Sequence, residues 1–196
     1  MLEQRIEQQF IDSADLKYQM AQILGKPIAA AAQAILVCLT GGGKVLACGN
    51  GACAALSRYL AASFVGRFER ERPELAAVAL ACDLAGVVGE QAHAGALARQ
   101  VRALGGAGDV LLAMSVDGNC ANVQQAIVAA HEREMIVIGL SGHGGGPMAR
   151  HLRDTDIHVD VPHERTARIL EILMLALHCM CDAVDAQLLG EQEEPM

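Results

Sequence analysis

The sequence predicts an α/β fold in which a parallel sheet is covered by helices on both faces. Three observations carry this. Five short runs (45–48, 76–81, 109–115, 135–140 and 157–161) are apolar along most of their length, as expected of strands buried on both sides. Segments of helical spacing separate them, and strand–helix alternation builds parallel sheets. A glycine turn, Gly49-Asn50-Gly51, follows the first run directly and opens a helix, the strand–turn–helix arrangement that holds phosphate in many α/β proteins.

Each element has a local reason. Leu2, Ile6, Phe10, Ile11, Leu16, Met20 and Leu24 recur at helical spacing, which predicts a helix over 2–24 ended by Gly25. Pro27 suits the first turn of a second helix, which runs through four alanines to Leu39 and stops at Thr40-Gly41-Gly42-Gly43. Strand 45–48 then leads to helix 52–65. Strand 76–81 leads to helix 94–104, carried by Leu97, Val101 and Leu104. Strand 109–115 leads to helix 120–131, and strand 135–140 to a glycine-rich turn at 142–146 and a short helix. Strand 157–161 leads to the last helix, 164–189, whose 169–177 stretch is apolar nearly all round. Such a helix is buried on several sides, which implies contact between subunits. The domain organisation is then an N-terminal helical arm for oligomerisation (1–43), an α/β domain (44–190) and an acidic tail (191–196).

Composition excludes several function classes. The formal net charge is −8, whereas a duplex-binding face needs an excess of Lys and Arg. The cluster Arg67-Phe68-Glu69-Arg70-Glu71-Arg72 is mixed in sign and reads as a solvated loop. Cysteine is present at seven positions. An odd number in mostly apolar settings points to reduced thiols in a cytoplasmic protein rather than a disulfide framework. The N-terminus is polar and no apolar run is of bilayer length, so no membrane partner is expected.

In order along the chain, "CGNG", "GRFERERPEL", "QVRALGGAGDVLLAMS", "GN", "VIGLSG" and "TARILEI…CD" resemble the sugar isomerase (SIS) domain of phosphoheptose isomerases. Within that family they are most similar to its DnaA initiator-associating relatives. The resemblance covers nearly the whole chain. It implies a three-layer sandwich with a five-stranded parallel sheet of flavodoxin-like order, and a homotetramer. It also implies a reaction, the conversion of sedoheptulose 7-phosphate to a heptose phosphate.

The same resemblance places the family's catalytic and metal-holding groups at four positions: a histidine at 59, a glutamate at 63, a glutamine at 170 and a histidine at 178. This chain has Tyr59, Ser63, Leu170 and His178 there. Ser63 is no carboxylate base, Leu170 offers no ligand atom, and His178 alone cannot supply the three or four donors of a metal site. No catalytic residue, metal or cofactor is therefore expected. The anion-binding positions are Asn50, Gly51, Cys53, Asp83, Ser115, Asp117, Gly118, Asn119 and Cys120. Here Ala52-Cys53 replaces Gly-Ser, and Ser115-Val116-Asp117-Gly118-Asn119-Cys120 replaces a pattern close to Ser-Thr-Ser-Gly-Asn-Ser. Cys53 reads as packing. Asp117 brings a negative charge that repels a phosphate by about 4 kcal/mol at 4 Å and an effective dielectric of 20, unless it serves as a helix cap or turn residue. The segment between Asp83 and Gln100 is about three residues shorter than the family pattern, and His93 reads as a surface residue.

The expectation that follows is a non-catalytic protein that binds the replication initiator DnaA and promotes chromosome replication initiation. Leu188 and Leu189 are then either the partner contact or a subunit contact. Two alternatives stay open. One is a phosphoheptose isomerase working through Glu171, Asp83 or His178. The other is a phosphosugar-binding regulatory module using Asn50, Ser115 and Asn119.

Overall fold

The apolar runs pair into one parallel sheet. The structure, a computed structural model, describes residues 1–81 and 95–190. Its strands are β1 (Val45–Gly49), β2 (Ala77–Ala79), β3 (Val110–Ser115), β4 (Ile136–Gly142) and β5 (Ile157–Val161). Among the described residues they form a five-stranded sheet of order β2-β1-β3-β4-β5, all parallel, with Val45 opposite Val110 and Val110 opposite Ile136. The helices are α1 (Leu2–Thr40), α2 (Ala52–Val65), α3 (Ala96–Leu104), α4 (Ala121–Glu132), α5 (Gly146–Ala149) and α6 (Thr166–Leu189).

Period-two alternation sorts the strand residues into two cores. Val45, Ala47, Val110, Leu112 and Met114 face α1, α2 and α6. Leu46, Cys48, Leu111 and Ala113 face α3 and α4. The result is a three-layer α/β sandwich.

The N-terminus departs from the expected pair of helices. α1 is continuous from Leu2 to Thr40, with Pro27 inside it. An interior proline costs about 3 kcal/mol and Gly25 about 1 more. The buried stripe Leu16, Met20, Leu24, Ala31, Ala32, Ile35 and Cys38 runs through both without a break in spacing. Each large aliphatic chain it buries contributes roughly 1.5–3 kcal/mol, so packing on α6 and β5 outweighs the local penalty. The C-terminal half of α1 thus shares one core with the sheet. By length and composition α1 is also apolar enough to cross a membrane, contrary to the sequence reading. Core helices pass the same test, and the stripe of α1 is packed against the sheet side of the molecule.

The charged cluster also differs from a wholly solvated loop. Arg67 and Glu71 are exposed and paired, but the Arg72 side chain is fully buried. Arg72 donates to Asp185 Oδ1 (2.6 Å) on α6 and to the carbonyls of Ser63 (2.7 Å) and Phe64 (2.8 Å) at the end of α2. Sequence charge alone does not reveal a cation whose partner lies more than a hundred residues away. Cys82, Asp83, His93 and the acidic tail 191–196 lie outside the described residues.

Candidate functional site

The strand order reverses between β1 and β3, and ligands of open α/β sheets bind at such a switch point, beyond the carboxyl ends of the strands. Two loops meet there. Gly51, at φ 54°, turns β1 into α2. Gly118 lies between β3 and α4 at φ 70°, and a Cβ on it would fall 1.8 Å from the Gly145 carbonyl oxygen. No other residue fits at 118. The Gly118 carbonyl accepts from Gln124 Nε2 (2.9 Å) and the Met148 N–H (3.1 Å). Asn50 and Asn122 exchange side-chain amide bonds of 2.6 and 2.9 Å, which ties the start of α2 to that of α4. Asn122 escaped the sequence reading, since its partner is fixed only by strand order.

The side chains on this frame differ in what they offer an anion. Ser115 is 2% exposed, and its Oγ makes no hydrogen bond to the described residues. A buried hydroxyl in that state is costly, and an oxygen acceptor arriving in the cleft would satisfy it. Asp117 is exposed and turned onto its own loop. Its Oδ1 accepts the Asn119 N–H and its Oδ2 accepts Asn119 Nδ2, both at 3.0 Å. It is a turn residue and Cys120 is the helix cap. Those two bonds hold the Asp117 carboxyl below the usual range, so it is ionised at neutral pH. In water-exposed geometry its repulsion of a phosphate falls to about 1 kcal/mol at 4 Å. It also occupies the Asn119 donors. Cys53 is buried and its thiol is pushed up to about 11, first by burial and then by Cys120 and Asp117, against a backbone hydrogen bond from Val116. It is a protonated thiol, suited to packing.

Tyr59 and Ser63 stand one turn apart on α2, and Tyr59 meets His178 of α6, the helix that also carries Leu170. Tyr59 Oη and His178 Nε2 form a 3.0 Å hydrogen bond, and the Tyr59 and Phe68 rings lie 5.5 and 5.6 Å from the imidazole. Ser63 Oγ donates to the Tyr59 carbonyl (3.0 Å) within its own helix. A cavity of about 560 Å³ runs from Ala52, at the first loop, past Leu56 and Leu170 to His178, with Lys17 and Glu171 on its wall. Glu171 accepts from Ser13 (2.7 Å) and from Arg168. Burial pushes the Glu171 carboxyl up, but these two donors outweigh it and hold it below the usual range.

A metal ion is implied by the family's four positions, and these residues do not fit one. Tyr59, Ser63 and Leu170 supply none of the nitrogen, thiolate or carboxylate donors that such a site takes. Among the described residues no group of three His, Cys, Asp or Glu is placed to hold an ion. Leu188 and Leu189, at the end of α6, are 37% and 38% exposed, away from this cavity's lining.

A doubly wound sheet with two tethered loops at its switch point defines an α/β protein of the kind whose candidate ligand site lies at those loops. The chain belongs to the SIS domain family, whose model matches residues 9–142. It is 58% identical to a phosphoheptose isomerase of Methylibium petroleiphilum over 98% of both chains. Among solved structures it is similar to the phosphoheptose isomerase of Neisseria gonorrhoeae, at 45% identity and TM-score 0.87, covering 94% of this chain and all of that one. That of Francisella tularensis matches at 37% identity and TM-score 0.88, covering 94% and 98%. These relatives overturn the expected non-catalytic, DnaA-binding role in replication initiation: full-length matches at 45–58% identity carry the isomerase name. The replaced side chains had weighed too heavily in that expectation, against similarity that extends over most of the chain.

Proposed function

We propose that this chain acts on a heptose phosphate, in the aldose–ketose isomerisation for which its relatives are named. The observation that carries the reading is full-length similarity joined to a cavity that runs from the start of α2 to His178, with a buried Ser115 hydroxyl at the end of β3 that makes no hydrogen bond to the described residues. Isomerisation moves a proton from the carbon beside a carbonyl to the carbonyl carbon, through an enediol. That step needs a base near neutral pH, and imidazole supplies one. His178 is the group on the cavity wall suited to it, since Glu171 is committed to Arg168 and Ser13. The test is turnover of sedoheptulose 7-phosphate by purified protein. His178→Ala is expected to lower it by about 10²–10⁴, the usual contribution of a general acid–base group, with melting unchanged. Turnover equal in the two proteins would remove His178 from the reaction.

A second reading, binding without conversion, is favoured by Ser63 and Leu170, which bring no proton-transfer group to the cleft. A rise in melting temperature with the phosphosugar and no product above background would select it.

A cytoplasmic homotetramer goes with either reading. It is supported by the exposed apolar residues Leu2, Ile6, Phe10 and Leu175, and by an apolar groove of about 350 Å³ between α1 and α6 lined by Met20, Leu24 and Ile28. A monomer in sedimentation velocity would remove it.

A further inference from the structure

We infer that this cleft works without a metal ion, and that Tyr59 has taken the ion's place as the partner that orients His178. The inference rests on the isomerase reading for the task of His178. It stands on the geometry for the rest. Across the α2–α6 contact, a metal centre would join positions 59, 63, 170 and 178 through one ion. Here the first and last are joined directly, phenol oxygen to imidazole Nε2 at 3.0 Å. The Tyr59 and Phe68 rings pack within 5.5 and 5.6 Å of the imidazole, and the Tyr59 oxygen sits at Nε2, where an ion bound through that nitrogen would need to be. Ser63 turns its hydroxyl to its own helix, and Leu170 presents carbon to the cavity. The carboxylate nearest in sequence to these positions, Glu171, is held by Ser13 and Arg168. With the imidazole Nε2–H donating to the phenol oxygen, Nδ1 carries the free lone pair that a base needs. A hydrogen-bonded neighbour that sets tautomer and ring angle is what a second-shell partner does for a metal-bound histidine, and here it acts with no metal between. Tyr59 is a positioning residue in this scheme.

The test compares zinc content and the state of the imidazole, neither of which depends on turnover. The full chain and His178→Ala are incubated with zinc, desalted and assayed for bound metal. Equal content in the two supports the inference, since any zinc that both retain is held elsewhere than by His178. About one equivalent per chain more in the unmodified protein, as a built tetrahedral site would give, overturns it. In the triple variant Tyr59→His/Ser63→Glu/Leu170→Gln, about one equivalent is gained and then lost on His178→Ala. A folded triple variant that gains none counts against these four positions being a vacated metal centre. Should the triple variant fail to fold, Tyr59→Phe decides. Nitrogen NMR of the His178 ring is expected to show a moved Nε2 resonance in that variant, and an unmoved one overturns the role of Tyr59. Failure of the isomerase reading would appear as absent turnover with the metal results unchanged. Failure of this inference would appear as His178-dependent zinc whether or not sugar is converted.

Discussion

The anion loops and the α2–α6 contact have changed in opposite ways. At the anion loops the backbone is held and the side chains have drifted: Gly51 and Gly118 keep their left-handed turns and the Asn50–Asn122 amides clamp the frame, while Cys53 and Asp117 alter what the frame offers. At the α2–α6 contact no special backbone is needed, and the side chains alone define the chemistry. A regular helix accepts Tyr59, Ser63 or Leu170 without strain, so nothing in the fold resists their arrival. Gly118 is different, because any Cβ there enters the Gly145 carbonyl. Features built from backbone persist because the fold depends on them, whereas features built from helix-surface side chains are free to change.

The largest effect is expected at the ion pair that links α2 to α6. Arg72 ties the end of α2 to α6, and Arg72→Ala leaves Asp185 buried with its charge uncompensated. A loss of about 3–5 kcal/mol is expected, read as a lowered denaturant midpoint, with the Tyr59–His178 contact disturbed as well. A loss below 1 kcal/mol would mean that the ion pair does not hold the two helices. Next comes the frame itself. Gly118→Ala is expected to cost about 3 kcal/mol from the clash and the positive φ together. It should also abolish phosphosugar protection against melting, whereas full stability would show that the loop relaxes freely. Smallest is the drift within the frame. Asp117→Ser removes the charge and frees the Asn119 donors, and affinity for a heptose phosphate or inorganic phosphate should rise about five- to tenfold, an effect of roughly 1–1.4 kcal/mol. Calorimetry giving equal or weaker binding would place the Asp117 carboxylate outside the anion's reach.

Much of this architecture was readable from residues 45–189. Helix 52–65 and strand 157–161 match α2 and β5 in the structure, and β1, β3 and β4 differ by one or two residues at an end. Strongly apolar runs bounded by glycine leave little choice of state. The N-terminus was misread because Gly25 and Pro27 are local signals, and the stripe that overrides them is stabilised by packing on α6 and the sheet. The first candidate loop was legible from its glycine turn, and the second from the resemblance of Ser115–Cys120 to the family pattern. The direction of the Asp117 carboxylate was left open between clash, cap and turn, since a side-chain torsion has no signature in sequence.

Hydrophobic period and turn chemistry, both local, were enough to specify the layers of this protein and its strand–turn–helix cradle, and the family resemblance alone marked positions 59, 63 and 170. Whatever depends on residues far apart in the chain was decided by the packed structure. Tyr59 meets His178 across 119 positions, Arg72 meets Asp185 across 113, and α1 stays whole through a proline. Contacts of that range form only once the sheet has brought α2 and α6 side by side, and no periodicity in the chain encodes which side chains then touch.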